Sequence, residues 1–526
     1  PVVALKPKPS NERLPSNLAI ALEIPKSKLT PMEQRIVGIE TEFGCMVRTD
    51  RYGARGSSER IVEAVKDHAF LRKRIGLLDM HARDYAFEPA RSGGFLVNGG
   101  RLYVDAVGSH EEYATPECVS WRDAVAYDKA GRVILQEILE ELELADDVAF
   151  YANSIDHFGG HTFGCHENYL VDISASAFRG SLSLLMPFLV TRQIFAGVGR
   201  VGGHKLNRHD FRRNIMSVGE HEVDTMWVAD FYGVEIDDSV DFQLSQRADH
   251  IVNTVSSRVR FNRAIINPKR DSYYDYSDLH RLHVLYGEAN MNEYATWLKI
   301  ATTCLVLDLL DMKVVPADVK LEDALQTLKS VSRDGTNRWL VRRANGETMS
   351  AIDLQRLYLE AAQKHLKGKD EQTDEAIFEW ENTLALLEID PMRLHDKLDW
   401  VAKKKMLMEF MASENVSWND DILHSLDLEY HNINPATSLY YGLEELGQAH
   451  RILSDEDIKS ACENPPQNTR AKGRAHIISS LLEHRWGRYL IDWDWVRVDK
   501  DRHLELRNPF HTYENEAQNF VRGMTW

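Results

Sequence analysis

The sequence predicts an α+β protein with helices packed on a largely antiparallel sheet, and three observations predict it. Short alternating segments bounded by Gly, Asp or Asn are interleaved with helical ones from residue 35 to about 310. From about 320 to 415 the pattern becomes helical, with apolar residues at three- and four-residue spacing. After about 430 a loop and helix at "CENPPQNTRAKGRAH" lead into a terminal hairpin at "RYLIDWDWVRVDKDRHLELRNP". A chain of 526 residues exceeds what one core usually serves. The division expected is a large domain at 35–430, a small C-terminal domain at 431–526, and a flexible extension at 1–34, where six of the 16 prolines fall.

The elements follow from their patterns. In "RIVGIETEFG" an extended backbone sends Val37, Ile39, Thr41 and Phe43 one way and Gly38, Glu40, Glu42 and Gly44 the other, so one face is oily and the other acidic. "SSERIVEAVKDHAFLRKRI" and "WRDAVAYDKAGRVILQEILEELEL" carry helical spacing. Between them, "GGRLYVDAVG" alternates, with Arg101, Tyr103 and Asp105 opposite Leu102 and Val104. The stretch "GSHEEYATPE" reads as a turn holding Glu111, Glu112 and Thr115. "VAFYANSI", "GCHENYLVDIS" and "HRLHVLYGEAN" complete the strand set, and the charge-rich 204–240 segment reads as a long insertion framing a site. The apolar run at 180–191 is too short to span a bilayer and contains a proline, so it belongs to a core.

Composition narrows the function. The formal net charge of −18 argues against nucleic acid as the main partner, while leaving room for a local basic pocket. Five scattered cysteines with no CxxC pair fit a reducing, cytoplasmic setting without structural zinc. No GxxxxGK[ST], no GxGxxG before a helix and no HExxH occurs, which disfavours P-loop, kinase, Rossmann and zincin chemistry.

Two carboxylates some 7 Å apart along one strand repel, and the pair fits either a solvated outer face or a cation site. Taken singly, Arg101 and Asp105 fit a structural ion pair, and His166 in "GCHENYL" a satisfied buried imidazole. Several strands with acidic faces plus an arginine instead suit a nucleotide–Mg²⁺ floor, because Mg²⁺ takes oxygen ligands shared with phosphates and Arg grips phosphate bidentately.

Seven collinear motifs carry a resemblance: "RIVGIETEFG", "NGGRLYVDAVGSHEEYATPEC", "GCHENYL", "PFLVTRQ", "QLSQRADHI", "RLHVLYGEANMNE" and "NPPQNTR". Together they resemble the Pup ligase and Pup deamidase/depupylase family, the proteasome accessory factor A-like proteins, related to glutamine synthetase and γ-glutamylcysteine synthetase. The resemblance implies a carboxylate–amine ligase fold with a curved antiparallel sheet cradling ATP and a small C-terminal domain. It implies ATP and Mg²⁺ as cofactors, and a small Pup-like protein modifier and lysine-bearing proteins as partners, in a cytoplasmic proteasome pathway without membrane or nucleic acid. By motif, Glu40, Tyr103 and Glu112 match metal positions, Arg101, Thr115 and Trp495 match nucleotide contacts, and Asp105 matches the catalytic aspartate. Trp493 is the alternative to Trp495. One residue more than the family's usual spacing separates Asp105 from Glu112, which leaves Glu111 as the alternative there. The reading leans to the ligase branch. The deamidase/depupylase branch, a small-molecule γ-glutamyl ligase and an inactive Pup-binding scaffold stay as alternatives.

Overall fold

In the structure, a computed structural model, the described residues are 32–48, 57–82, 89–105, 110–156, 161–172, 175–206, 234–256, 263–267 and 279–524. Nearly all of the expected N-terminal extension (1–31) and the middle of the expected insertion (207–233) lie outside them.

Ten strands form the main sheet: β1 (Val37–Val47), β2 (Gly76–Leu78), β3 (Gly93–Leu96), β4 (Arg101–Asp105), β5 (His110–Ala114), β6 (Val148–Tyr151), β7 (Cys165–Asp172), β12 (Asn253–Val255), β13 (Ala264–Asn267) and β14 (Leu279–Val284). Short pairs at β8 (Arg200–Val201), β9 (His204–Leu206), β10 (Val234–Ile236) and β11 (Phe242–Gln243) lie outside it. The sheet order is β12-β13-β14-β7-β1-β5-β4-β3-β2, with β6 pairing the far end of β1. Every pairing in it is antiparallel except β12 with β13.

Helices cover one face of this sheet. Val37, Ile39 and Phe43 are buried there, against α1 (Ser57–Asp67) and α2 (Trp121–Glu141). Ser120 starts α2 by accepting the Asp123 N–H, which satisfies one of the donors a first turn leaves open. Thr41 is the one polar residue on the oily side of β1, and its hydroxyl donates to Asp128 Oδ1 at 2.8 Å, while Arg132 one turn on donates to Asp128 Oδ2 at 2.6 Å. Without those partners each buried polar group would cost about 1–3 kcal/mol. Gly131 lets α2 close on β5, since a Cβ there would stand 2.3 Å from the Tyr113 ring. The apolar run at 180–191 falls in α3 (Ala175–Thr191), whose Leu185, Phe188, Leu189 and Val190 are buried. The long helix α4 (Glu293–Asp311) is buried almost all round and is capped by Asn292. No helix among the described residues is long and apolar enough to cross a membrane.

A second hydrophobic core forms where the sheet edge meets the C-terminal segment. Leu77 of β2 and Phe95 of β3 join Ile477, Ile478 and Leu481 of α5 (Ala471–Glu483) and Ile491, Val496, Val498 and Leu506. Residues between 430 and 461, such as Tyr440 and Ala461, pack instead into the first core.

Two expectations change. "HEEYA" is no turn: its alternation makes β5, the strand between β1 and β4. The terminal hairpin is a three-stranded antiparallel sheet, β17 (Tyr489–Ile491), β18 (Trp495–Val498) and β19 (Arg502–Glu505), after a small pair at β15 (Leu340–Arg342) and β16 (Thr348–Ser350). A helix, α6 (Glu514–Arg522), follows it and buries Ala517 in the second core.

Candidate active site

The register builds the site. Glu42 stands opposite Glu112, and Glu112 opposite Tyr103, in one row across β1, β5 and β4. Asp105 faces His110 on one side of this row, and Glu40 faces His166 on the other. Residues opposed across an antiparallel pair share a side, so all of them project from the face that α1 and α2 leave uncovered. Glu111, between them, projects to the helix side with Phe43 and Val104.

Two groups of ligand atoms result. Glu42, Asp105 and Glu112 each bring a carboxylate oxygen within 4.8 Å of the others. His110 Nδ1 lies 3.0 Å from Glu42 Oε2. Burial pushes the Glu42 carboxyl up, but His110 outweighs it and holds the group down at about 2. Glu112 has no such counter-ion: burial first, then the charges of Glu42, Asp105 and Glu40, push its carboxyl well above the usual range, against a hydrogen bond from Tyr103. Glu40, His166 and His283 form the second group. Glu40 Oε2 is 3.2 Å from His166 Nδ1 and 3.4 Å from His283 Nε2, and its Oε1 accepts from Asn168 Nδ2 at 3.0 Å. Burial again opposes ionisation, yet His283 and His166 hold Glu40 well below the ordinary carboxylate range. Gly164, in the loop before β7, leaves these groups their places, because a Cβ there would lie 2.4 Å from Glu42 Oε1 and 2.6 Å from His166 Nε2 and would displace them.

Arg101 shares this face and stacks over the Tyr103 ring at 4.0 Å. Its Nη2 donates to Asp79 Oδ2 at 2.8 Å, which fixes the plane of the guanidinium. Thr115 sits just past β5, with its hydroxyl accepting the Ile39 N–H at 3.0 Å. Trp495 is not on the sheet: it stands on β18 with its ring 5.6 Å from that of His81, two residues beyond Asp79. Trp493 is committed elsewhere, edge-on to Phe95 at 4.9 Å and 5.0 Å from the Arg474 guanidinium. Thus Glu40, Arg101, Tyr103, Asp105 and Glu112 gather on one face, Thr115 lies at its margin, and Trp495 approaches from the C-terminal unit.

Sequence reasoning offered Glu40 and Glu42 as a candidate cation pair but did not carry Glu42 into the motif-matched metal set, and it assigned neither His283 to a ligand set nor Asp79 to Arg101. Glu42 was readable from the alternation of β1. His283 was readable from its place two residues after Arg281 in an alternating strand, but its meeting with Glu40 depends on the β14–β7–β1 register, which no local pattern carries.

The fold and this face define a class first, an α+β enzyme whose chemistry lies on the side of a largely antiparallel sheet opposite α1 and α2. Within it, the chain belongs to the Pup-ligase protein family, whose model matches residues 35–497. It is 33% identical over 511 residues to a Pup–protein ligase of Mycobacteroides abscessus, covering 94% of this chain and all of that one. A Pup–protein ligase of Kineococcus radiotolerans is 34% identical over 512 residues, with the same coverage. Among solved structures, the ligase PafA in complex with the prokaryotic ubiquitin-like protein Pup matches with a TM-score of 0.76 at 28% identity, over 94% of this chain and 92% of that one. PafA in complex with ADP matches at 0.68 and 30% identity, over 82% and 89%.

Proposed function

We propose that this chain is an ATP-dependent ligase that joins the C-terminal glutamate side chain of a Pup-like modifier to lysines of substrate proteins. The observation that carries the reading is the trio Glu42, Asp105 and Glu112, whose carboxylate oxygens converge and in which burial first, and then the neighbouring carboxylates, push the Glu112 carboxyl up. Such a group is costly unless a cation joins it, and a hard divalent ion fits an oxygen donor set of this kind. Glu112 and Glu42 of this trio, with Tyr103 beside Glu112 and Glu40 from the adjoining group, are the residues that would hold Mg²⁺. Bound there, the ion would offset charge on the phosphates of ATP.

The chain's own residues carry the rest. A carboxylate is a poor acyl donor, so the modifier's glutamate is first phosphorylated to a γ-glutamyl phosphate, with ADP leaving. Arg101, oriented by Asp79, meets the phosphates, and Trp495 offers its face to the base. Lysine is protonated at neutral pH, with a reference pKa of about 10.4, and cannot attack until it loses a proton. Asp105 is the acceptor: it is the half-buried member of the trio, open to an incoming substrate. The freed amine then displaces phosphate and forms the isopeptide.

The test is intact mass spectrometry with ATP, Mg²⁺, a lysine-bearing target and a Pup-like modifier supplied in Glu-ended and Gln-ended forms, with ADP assayed in parallel. A target that gains the modifier mass less one water from the Glu-ended form, with ADP released, is the expected result. Hydrolysis of the Gln-ended form without conjugate would move the chain to the deamidase branch.

A further inference from the structure

One guanidinium outside the acidic face touches the supports of every residue expected to contact nucleotide. Arg474 Nη2 donates to the Gly99 carbonyl at 3.0 Å, two residues before Arg101. The same side chain grips Glu117, two residues after Thr115, with Nη2–Oε2 at 2.6 Å and Nη1–Oε1 at 3.1 Å. Its Nη1 donates to the Trp493 carbonyl at 2.6 Å, two residues before Trp495. The plane lies between aromatic rings, with its carbon 4.9 Å from the Phe95 centroid and 5.0 Å from that of Trp493. Arg474 is fully buried, and Arg470 completes the junction by donating from Nε to Glu117 Oε1 at 2.6 Å.

These contacts join two neighbouring segments of the main sheet, the β3–β4 turn and the exit of β5, to the approach to β18, far along the chain. A planar fork with five donors can bridge a carboxylate and two carbonyls at once, whereas an ammonium on a flexible stem cannot hold the same directions. We infer that Arg474, seated on Glu117, is a positioning residue that sets the spacing between the sheet-borne Arg101 and Thr115 and the C-terminal Trp495, and thereby the affinity for ATP. The inference rests on the nucleotide-binding reading above. It adds a residue that touches neither phosphate nor base and acts through those that do.

The geometry makes a separable claim about kinetics. A group that only aligns nucleotide contacts alters binding of ATP and leaves the chemical step and modifier binding alone once ATP saturates. In the full chain, Arg474→Lys is expected to raise the KM for ATP and the Kd for ADP roughly tenfold or more, the scale seen when supporting contacts of a site are lost. Its kcat at saturating ATP and its KM for the modifier should stay within about twofold. Glu117→Asp, which keeps the charge but shortens the reach, should fall between wild type and Arg474→Lys, and it serves if the arginine variant does not fold.

A buried pair elsewhere in the first core provides the control. Lys403 Nζ lies 2.5 Å from Asp427 Oδ1, and both are fully buried. Lys403→Met should lower the melting temperature while leaving the KM for ATP unchanged. An unchanged KM for ATP in Arg474→Lys, or an equal rise in Lys403→Met at the same loss of stability, overturns the inference. If the wild-type chain neither binds ADP nor consumes ATP, the underlying reading fails as well, so the two failures are told apart by the wild type alone.

Discussion

Glu111 and Glu112 are adjacent in sequence and stand on opposite faces of one strand. Both are buried, and both have carboxyls pushed well above the ordinary range, but for different reasons. Burial dominates at Glu111, where neither oxygen has a hydrogen-bond partner among the described residues; the charge of Lys66 opposes the shift and that of Glu63 adds to it. At Glu112 burial is joined by three other carboxylates converging on the same space. The first is a carboxyl in a hydrophobic core, which is most stable neutral. The second belongs to a cluster that a cation would complete. A raised carboxyl therefore identifies a site only when the source of the shift is known.

The sharpest way to break this contrast is on the site face. Asp105→Asn should cut ligation by roughly 10²- to 10⁴-fold, the usual worth of a positioned proton acceptor, with the melting temperature kept. Conjugation kinetics at saturating ATP decide it, and near-wild-type turnover would remove Asp105 from the chemistry. Glu112→Gln is expected to cost about 10²-fold, partly recovered by added Mg²⁺. Because it takes one carboxyl out of a repelling trio, the variant without divalent cation should melt no lower than wild type. Wild type should gain stability on adding Mg²⁺ and Glu112→Gln should gain less, which thermal scans with and without the ion measure.

On the helix side the sign reverses. Glu111→Leu replaces a partnerless buried carboxyl by an apolar group of similar volume, which removes a desolvation penalty of about 1–3 kcal/mol, so the variant should be as stable as wild type or more so. Its ligation rate and its response to Mg²⁺ should match wild type. If Glu111→Leu lost its metal response as Glu112→Gln does, the two glutamates would have to exchange faces, and the β1–β5 register would be wrong.

The same contrast sets what the sequence could reveal. Alternation assigns a face within a strand, so Glu40 and Glu42 in β1, and Arg101, Tyr103 and Asp105 in β4, were legible from period two alone. The helix at 121–141 was legible by its spacing, whereas the one at 293–311, buried almost all round, shows no polar face and was not read as a helix. β5 was not legible either, because "HEEYA" carries charges on both faces and its inward glutamate breaks the polar–apolar rule. β2 and β3, of three and four residues, are too short and glycine-rich to show a period. Convergence was hidden for a different reason. That Glu42, Asp105 and Glu112 meet, or that Glu117 meets Arg474 across 357 positions, follows from pairing and packing, which a single sequence does not display.

A third glutamate of the segment, Glu117, reverses Glu111's environment, and its test reads a slope with pH rather than a loss of activity. Burial opposes its charge, but Arg474 and Arg470 outweigh burial and hold it down at about 2. A carboxyl depressed on folding stabilises above its unfolded value near 4.5 and loses that contribution as pH falls toward 2, at about 1.4 kcal/mol per pH unit at most. Asp494, between Trp493 and Trp495, works the other way. Burial first, with Asp492 adding to it and Arg470 opposing, lifts its carboxyl to about 6. Between pH 4 and 6 the unfolded aspartate ionises before the folded one, so this group makes stability fall as pH rises. Glu117→Gln should therefore flatten the loss of stability below pH 4.5, and Asp494→Asn should flatten the decline between pH 4 and 6. Denaturation midpoints across pH 3–7 separate them. Equal effects of both variants in one window would mean that the guanidinium pair does not distinguish its carboxylate from the unpaired one beside it.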